Sequence, residues 1–327
     1  MKEKGEALAS PWAVTRSEAP WSVRACTPES CYITGVEHTA RPYVLYSLSI
    51  MKLPASLREL RKTYGFTSSN LYTTTNPKTL KNGKVSSQPT IVFHLEPVTF
   101  NVCPAAGSCA ALCLNKAGNP LYMKNKLSRR QKRSHAFQHH REDFLQLMIL
   151  EAARQWSKGY KGVRLNGTSD VAWEKEKVTV TPELSRFVHL SFGVYLPAQE
   201  YTMISAMVLM GFQPYDYTKR IDRDFDKARF LGYHLTLSWG GKHDDQIFNL
   251  AERYGLNVAA PVYGVKKSKP VPKTIKAPNG EEYETIDGDV TDWRRDDGYS
   301  GSPRIVALRL KRTPGQTERK ARAFCIA

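Results

Sequence analysis

The sequence has no long hydrophobic run. Among its 327 residues, no apolar stretch approaches the ~20 residues that a membrane-spanning helix needs. The first residues also lack the basic start and apolar block of a secretory signal. We therefore expect a cytoplasmic protein without a membrane partner.

Cysteine is scarce, with six residues in the whole chain. So few cysteines in a chain of this length do not make a disulfide scaffold, and in a reducing compartment clustered cysteines are more typical of metal binding or catalysis. Three of the six, Cys103, Cys109 and Cys113, lie within eleven residues. The stretch from 101 to 119, NVCPAAGSCAALCLNKAGN, is therefore a candidate metal-binding loop.

Acidic residues are outnumbered, 31 against 48 basic ones, and the net charge is +17. The excess lies beyond residue 50, mainly in 124–133, 266–276 and 304–322. Such a field favours polyanions such as nucleic acid or nucleotides, although a basic surface without a partner would look the same. The stretch KNKLSRRQKR contains no acid and is predicted to bind nucleic acid through six side chains: Lys124, Lys126, Arg129, Arg130, Lys132 and Arg133.

The first fifty residues differ from the rest of the chain. They are rich in Pro, Ser and Thr and show no sustained hydrophobic periodicity. We expect residues 1–50 to be a disordered or non-native extension, followed by a single α/β domain over residues 51–327.

Strand and helix signals alternate from Thr90 onward, which implies βαβ units and a mainly parallel sheet. No G-x-G-x-x-G or G-x-x-x-x-G-K-[ST] motif follows a strand, so the common nucleotide-binding doubly wound folds have no support. We predict a complete or partial βα barrel with mainly parallel strands and the cysteine loop after the first strand. Seven strands are predicted: 90–100, 161–167, 214–219, 233–239, 256–264, 283–289 and 304–311.

Polar residues recur at the carboxyl ends of these strands, where the chemistry of βα barrels takes place. Each of them alone could cap a turn or pair with a neighbouring charge. Their recurrence at the same end of successive strands favours a shared cavity. The predicted catalytic residues are Asn166, Asp170, Asp216, Lys219 and Asp289, and the predicted cofactor-binding residues are Ser238 and Asp287.

The cysteine spacing, C-x5-C-x3-C, leaves the metal open. Zinc would need a fourth ligand, which His135, His139 or His140 could supply. The alternative is a [4Fe–4S] cluster with three thiolates and one open iron. Three cysteines after the first strand resemble radical S-adenosylmethionine enzymes, whose cofactor binds the open iron, although their usual spacing is C-x3-C-x2-C. Three reduced thiols without a metal are the remaining alternative.

Six motifs in this order resemble a phage and prophage family of the gene product 88 kind: NVCPAAGSCAALCLNKAG, VRLNGTSDVAWE, YDYTKR, YHLTLSW, NVAAPVYG and IDGDVTDWR. The resemblance covers residues 68 to 311 and implies a phage or mobile-element origin, hence the host cytoplasm, but no particular activity. It matches twelve residues to the family's motifs: Cys103, Cys109, Cys113, Asn166, Asp170, Glu174, Asp216, Tyr217, Lys219, Asp287, Asp289 and Asp292.

Two functional hypotheses follow from the sequence. The first is an iron–sulfur enzyme, of the radical type, that acts on a nucleotide or nucleic acid. The second is a zinc-stabilised nucleic-acid-binding protein of phage replication or regulation, which has no need to bring Asp170, Asp216 and Asp289 together in one cavity.

Overall fold

The computed structural model describes residues 52–67, 71–116, 120–298, 301–311 and 316–326, and for residues 77, 78 and 120–122 it describes the backbone. All of these residues belong to the compact unit Ile50–Ala327. The prediction of an extension over residues 1–50 lies outside the described residues.

The described residues form α-helices separated by strands, as the alternation of signals predicts. A proline at the first helical position and the Thr181 hydroxyl, which accepts from Leu184 N at 3.2 Å, start α5 as expected for an N-cap. Across the described residues, no helix is long and apolar enough to cross a membrane. The helices are α1 Ala55–Tyr64, α2 Pro77–Val85, α3 Pro120–His139, α4 Arg141–Trp156, α5 Pro182–Phe192, α6 Met203–Leu209, α7 Phe225–Phe230, α8 Asp244–Tyr254 and α9 Glu318–Phe324.

All seven predicted strands are present, together with four short ones that were not predicted. The strands are β1 Tyr72–Thr73, β2 Thr90–Phe93, β3 Gly162–Arg164, β4 Lys177–Thr179, β5 Glu200–Thr202, β6 Gln213–Thr218, β7 His234–Ser238, β8 Val258–Val262, β9 Thr274–Lys276, β10 Glu282–Asp287 and β11 Ile305–Arg309. Single 3-10 turns occur at Ser108–Ala110, Leu114–Lys116 and Arg294–Asp297.

Within the described residues, nine strands form one sheet in the order β1-β2-β3-β6-β7-β8-β11-β10-β9. The seven strands from β2 to β10 pair in parallel, and the outer strands β1 and β9 pair antiparallel with their neighbours. Strands β4 and β5 form a separate antiparallel pair. The prediction of a mainly parallel α/β sheet is confirmed.

The prediction of a complete barrel is wrong, because the sheet is open over the described residues. A barrel closes only when its first and last strands pair. Here the parallel set ends at β2 and β10, and each of these edges is covered by a short antiparallel strand. From β2 to β8 the parallel strands follow one another in chain order, so this part of the sheet has no reversal of the doubly wound kind.

The core lies between the sheet and the helices, with α4 at its centre. Residues 144–153 of α4 are all buried, as expected for a helix that packs against other elements on every side. It contacts α1, α3, α5 and α6. The core fixes the sheet, and the sheet in turn brings the polar strand ends together.

Candidate functional site

The cysteine loop, defined as residues 101–116, follows β2 and is fastened to the ends of later strands. Asp170 N, after β3, donates to Val102 O at 2.7 Å. Cys109 N donates to Gly240 O at 3.0 Å, just after β7. Because both contacts lie at the carboxyl ends of parallel strands, β3 and β7, which flank β6, the loop lies across this edge of the sheet.

Two close approaches of the backbone at this edge require glycine. A Cβ on Gly107 would lie 2.1 Å from Gly241 O. A Cβ on Gly240, whose φ is +92°, would lie 2.4 Å from the Phe324 ring and 3.2 Å from Cys109 Cβ. A side chain at Gly107 would push the cysteine loop away from the segment after β7, and one at Gly240 would displace Phe324 of α9 and crowd Cys109.

Lys219 brings a positive charge to the three cysteines. It follows β6, and its Nζ donates to Ser238 Oγ, at the end of β7, at 3.0 Å. Burial lowers the pKa of Lys219, but four neighbouring groups outweigh burial and raise it: Cys109, Cys103, Asp170 and Cys113. The three cysteines thus form one electrostatic group around a single ammonium, which we call the cysteine site.

Burial favours the neutral thiol form of Cys103 and Cys113 in the absence of a metal. Burial raises the pKa of Cys103 to about 12, although Lys219 opposes this. Burial also raises the pKa of Cys113, against a hydrogen bond from Asn115 N to Cys113 Sγ at 3.4 Å. All three thiols are partly exposed. A thiolate therefore forms here when a bound cation displaces the proton.

Asp170 fixes the backbone position of Lys219. Its carboxylate accepts from Thr218 Oγ1 at 2.8 Å and from Lys219 N at 2.7 Å. Arg223 Nη1 lies 3.7 Å from the same carboxylate, and the Arg223 guanidinium also donates to the fully buried Glu174 through two nitrogens. The predicted catalytic residue Asp170 thus lies beside the cysteine site and links it to a buried ion pair.

Asn166 organises the turn after β3. Its Oδ1 accepts from Ser169 Oγ at 2.9 Å, Val171 N at 2.9 Å and Trp173 Nε1 at 3.0 Å. Its Nδ2 donates to Val171 O at 2.9 Å. All the hydrogen-bonding groups of the amide have partners within the turn, so Asn166 positions the segment that carries Asp170.

Asp216 is buried between β3 and β7. Its carboxylate accepts from Leu165 N at 3.1 Å, Asn166 N at 2.8 Å and Tyr233 OH at 2.6 Å. Burial raises its pKa to about 7, with Arg164 and the hydrogen bonds opposing. The side chain holds the end of β3 against β6.

Asp287 and Asp289 lie apart from the other predicted site residues. Asp287 ends β10 and Asp289 follows it. This strand is four strands from β6, or roughly 19 Å along the sheet. Arg309 donates to Asp287 through Nη1 at 2.8 Å and Nη2 at 3.0 Å, and Asp289 Oδ2 accepts from Arg309 N at 2.9 Å. Both carboxylates are thus neutralised by one arginine, and the structure does not bring them to the cysteine site.

No group of three or more His, Cys, Asp or Glu side chains is placed to hold a metal ion within the described residues. The histidines considered as fourth zinc ligands lie near Tyr64 on α1. Tyr64 OH and His135 Nδ1 are 2.7 Å apart. The His139 ring is tilted against that of His135 with centroids 4.3 Å apart, and the rings of His140 and Tyr64 meet edge to face. The cysteine site and these histidines therefore form no common metal group.

The six predicted nucleic-acid-binding residues on α3 fall into two sets. Arg130 and Arg133 are buried. Arg130 Nη1 donates to Asn115 Oδ1 at 2.6 Å, and Arg133 Nη1 donates to His94 O at 3.0 Å. These two arginines therefore hold the cysteine loop and the segment after β2 in place. The other four are at least partly exposed: Lys124, Lys126, Arg129 and Lys132.

The sequence prediction did not include the polar residues that support the cysteine loop. Glu96, just after β2, accepts from Asn115 Nδ2 at 3.4 Å and from Thr99 N at 2.8 Å. Glu96 lies at a strand end like the predicted residues, so the same rule could have found it. The Gly240-Gly241 pair, shortly after β7, is a turn signal, and it could also have indicated a close backbone contact at this strand end.

Asp292 lies at the centre of another buried network. Arg164 Nη1 donates to it at 2.9 Å, and Tyr215 OH and Tyr217 OH donate at 3.3 Å. Its own N–H donates to Asn82 Oδ1 at 2.9 Å. These bonds anchor the segment after β10 to β3 and β6. The aspartate of this motif therefore has a structural role.

Comparison with known proteins gives one finding. No curated protein and no solved structure matches the chain, and the likeness to radical S-adenosylmethionine enzymes has no support from these searches. The family model described as Gene product 88 matches residues 66–327. This range contains the cysteine loop, every strand end described above and most of the chain, and it confirms the resemblance seen in the motifs. The chain therefore belongs to the Gene product 88 family.

Proposed function

We propose that this protein is a metal-dependent enzyme in which Cys103, Cys109 and Cys113 hold an iron–sulfur cluster beside Lys219. The observation that carries the proposal is the cysteine site itself. Three partly exposed thiols interact with one another and with a single ammonium at the carboxyl edge of a parallel sheet. Polar groups at this edge are typical of active sites in α/β proteins.

The charges of the site support a thiolate-bound metal. The Lys219 ammonium has Asp170 as its carboxylate neighbour and three thiols whose charge depends on the bound species. A [4Fe–4S]²⁺ cluster with three thiolates carries a single net negative charge, and so does Zn²⁺ with three thiolates. Either would pair with Lys219, and binding would release the thiol protons that burial retains.

The donor set favours iron–sulfur over zinc. A structural zinc site needs four protein ligands, whereas the cysteine loop supplies three. Within the described residues no histidine or carboxylate joins the cysteines, and the three cysteines alone are not arranged as a metal-binding group either. Three thiolates leave one iron of a cubane without a protein ligand. That iron is where the predicted co-substrate, S-adenosylmethionine, would bind. The residues of this chain would supply the thiolates, the Lys219 charge and the Asp170 anchor.

The substrate that we propose is a nucleotide or a nucleic acid. The net charge of +17 and the exposed cations of α3, directly after the cysteine loop, would attract a polyanion. If the metal proves to be zinc, the same cations support the second hypothesis, a zinc-stabilised nucleic-acid-binding protein.

The test is anaerobic purification and reconstitution with iron and sulfide. Iron, sulfide and zinc per chain are quantified together with the visible spectrum. We expect a brown protein with about four iron and four sulfide per chain, and loss of the colour in Cys103→Ala, Cys109→Ala and Cys113→Ala.

The matched control is Cys325→Ala, because Cys325 is also partly exposed but lies outside the cysteine loop. It should keep the full iron content. A colourless protein with one tightly held zinc would overturn the iron–sulfur proposal in favour of the second hypothesis. Equal iron loss in all four variants, or no bound metal in the wild type, would overturn the metal site altogether.

A further inference from the structure

A cleft of ≈ 530 Å³ opens between the C-terminal end of α1 and the middle of α3. It is separate from the cysteine site, since no cysteine lines it. This volume is in the range of pockets that hold small ligands or single nucleotide units. Its lining residues are Tyr64, Gly65, Phe66, Thr67, Asn125, Ser128, Arg129, Lys132 and Arg133.

The lining of the cleft carries positive charge only. Arg129, Lys132 and Arg133 contribute three cations, and none of the described lining residues is acidic. Arg133 is fixed in place, since it is buried and donates to His94 O at 3.0 Å. Burial, Arg130 and Arg129 together lower the pKa of Arg133 to about 9. Cations so close together repel one another, and a bound anion would remove this cost.

The remaining lining groups suit the oxygens of a phosphate. Ser128 and Thr67 carry hydroxyls and Asn125 an amide, which are hydrogen-bond donors that phosphates commonly use. The chain turns at Gly65 with φ +64°, and a Cβ there would lie 3.9 Å from Lys132 Nζ. The Lys132 ammonium thus lies close to the backbone of this turn.

An aromatic wall closes one side of the cleft. The Tyr64 and Phe66 rings stack with their centroids 5.4 Å apart and an interplanar angle of 10°. Both rings are largely buried, so they form a rigid boundary beside the cations. A site with two long mobile cations, one fixed arginine and a stiff apolar wall favours a multiply charged, tetrahedral anion over a planar carboxylate, which a single arginine satisfies.

We propose that this cleft binds a phosphate group of a nucleotide unit, either in a nucleic-acid strand or in a free nucleotide. The inference deepens the proposed function, because it gives the polyanionic substrate a binding site. It does not depend on the metal. Arg130, one residue from Arg129, braces Asn115 of the cysteine loop, so a strand held in the cleft would lie beside the segment that supports the cysteine site.

The test compares two double variants with equal loss of charge. Arg129→Gln/Lys132→Gln changes two exposed cations that line the cleft. The matched control, Lys84→Gln/Lys158→Gln, changes two exposed lysines that do not line it. Binding of a fluorescein-labelled oligothymidylate is measured by anisotropy between about 50 and 200 mM salt, and ATP and inorganic phosphate are tested as competitors.

We expect the cleft variant to bind about tenfold more weakly at low salt and its log–log salt slope to fall by about 1.4, for two lost single-strand contacts. The control should retain the affinity of the wild type within about twofold. Competition by ATP at concentrations where inorganic phosphate has no effect would identify a free nucleotide as a ligand, and no competition by ATP would identify the nucleic-acid strand. Equal weakening in both variants, or no binding of either probe to the wild type, would overturn the proposal.

Iron content separates this inference from the proposed function. The cleft variant should reconstitute with the same iron as the wild type, and Cys109→Ala should bind oligothymidylate as the wild type does. A cleft variant that loses iron together with binding would indicate a general folding defect and would overturn the assignment of these cations to the ligand.

Discussion

Burial of Asp216 predicts a specific dependence of stability on pH. The carboxyl group is 0% exposed, and burial raises its pKa from 3.8 to about 7. The folded state therefore keeps a proton that the unfolded state releases between about pH 4 and pH 7. Stability falls wherever the folded state binds more protons as the pH rises, so this residue makes the protein less stable as the pH increases through that window.

The size of the effect follows from the shift. A rise of about three pKa units, at about 1.4 kcal/mol per unit, corresponds to about 4 kcal/mol in the free energy of unfolding. Asp216→Asn removes the titration and keeps a side chain of the same size. We therefore compare the free energies of unfolding of the wild type and the variant at each pH. The wild type should lose about 4 kcal/mol relative to the variant between pH 4 and pH 7.5.

Urea unfolding followed by tryptophan fluorescence, repeated at pH values across this window, measures the difference. Asp222→Asn is the control. Its hydrogen bond with Arg220 lowers the pKa of Asp222 to about 2, so in the folded protein this group does not titrate in the window. The difference in the free energy of unfolding between the wild type and Asp222→Asn should therefore stay nearly constant with pH. Parallel curves for the wild type and Asp216→Asn would show that the carboxylate remains charged at all these pH values and would refute the reasoning.

Two further changes test the network around the cysteine site. Glu174→Gln leaves the buried Arg223 guanidinium without its bidentate carboxylate, and urea unfolding should show a loss of about 3–5 kcal/mol; a loss below ~1 kcal/mol would contradict this account of the pair. Lys219→Met removes the charge that lowers the pKa of Cys103, so alkylation of the loop thiols in the metal-free protein, followed by mass spectrometry of the loop peptide, should slow several-fold. The exposed Lys242→Met is its control, and equal rates in the two variants would exclude the proposed role of Lys219.

The strands and the parallel sheet could be predicted from the sequence because they depend on local signals. Short apolar runs bounded by glycine or proline specify strands such as β8, and the helical segments between them imply parallel neighbours. Closure of the sheet could not be predicted in this way. It depends on which strands cover the edges, and the two-residue strand β1 leaves almost no local signal.

The sequence predicts which candidate residues lie close together where strands that are consecutive in the chain are also neighbours in the sheet. Lys219 follows β6 and Ser238 ends β7. These two strands pair directly, so the two side chains meet at 3.0 Å. Asp287 was expected close to these residues because polar side chains recur at the carboxyl ends of successive predicted strands. In the structure, β11 lies between β8 and β10. This insertion reverses the strand order and moves Asp287 and Asp289 away, and no local pattern encodes it.

The basic helix shows a different limit. Six cations in ten residues predict a charged surface, but charge alone does not tell which side of the helix faces the solvent. Arg130, Arg133, Ser134 and Phe137 follow the i, i+3, i+4, i+7 pattern of one helical face, and all four are buried. Reading this periodicity together with the charge would have separated the two bracing arginines from the exposed cations.

The position of Lys219 does not depend on the three thiols. Its backbone N–H is held by Asp170, and its Nζ donates to Ser238. Both anchors are independent of the thiols, so the positive charge is in place before any ligand arrives. The cysteine loop is likewise fastened through the backbone of Val102 and Cys109. If the proposed metal binds, the backbone of the loop is therefore already ordered, and binding would cost the loss of thiol protons and the reorientation of side chains rather than the ordering of a loop.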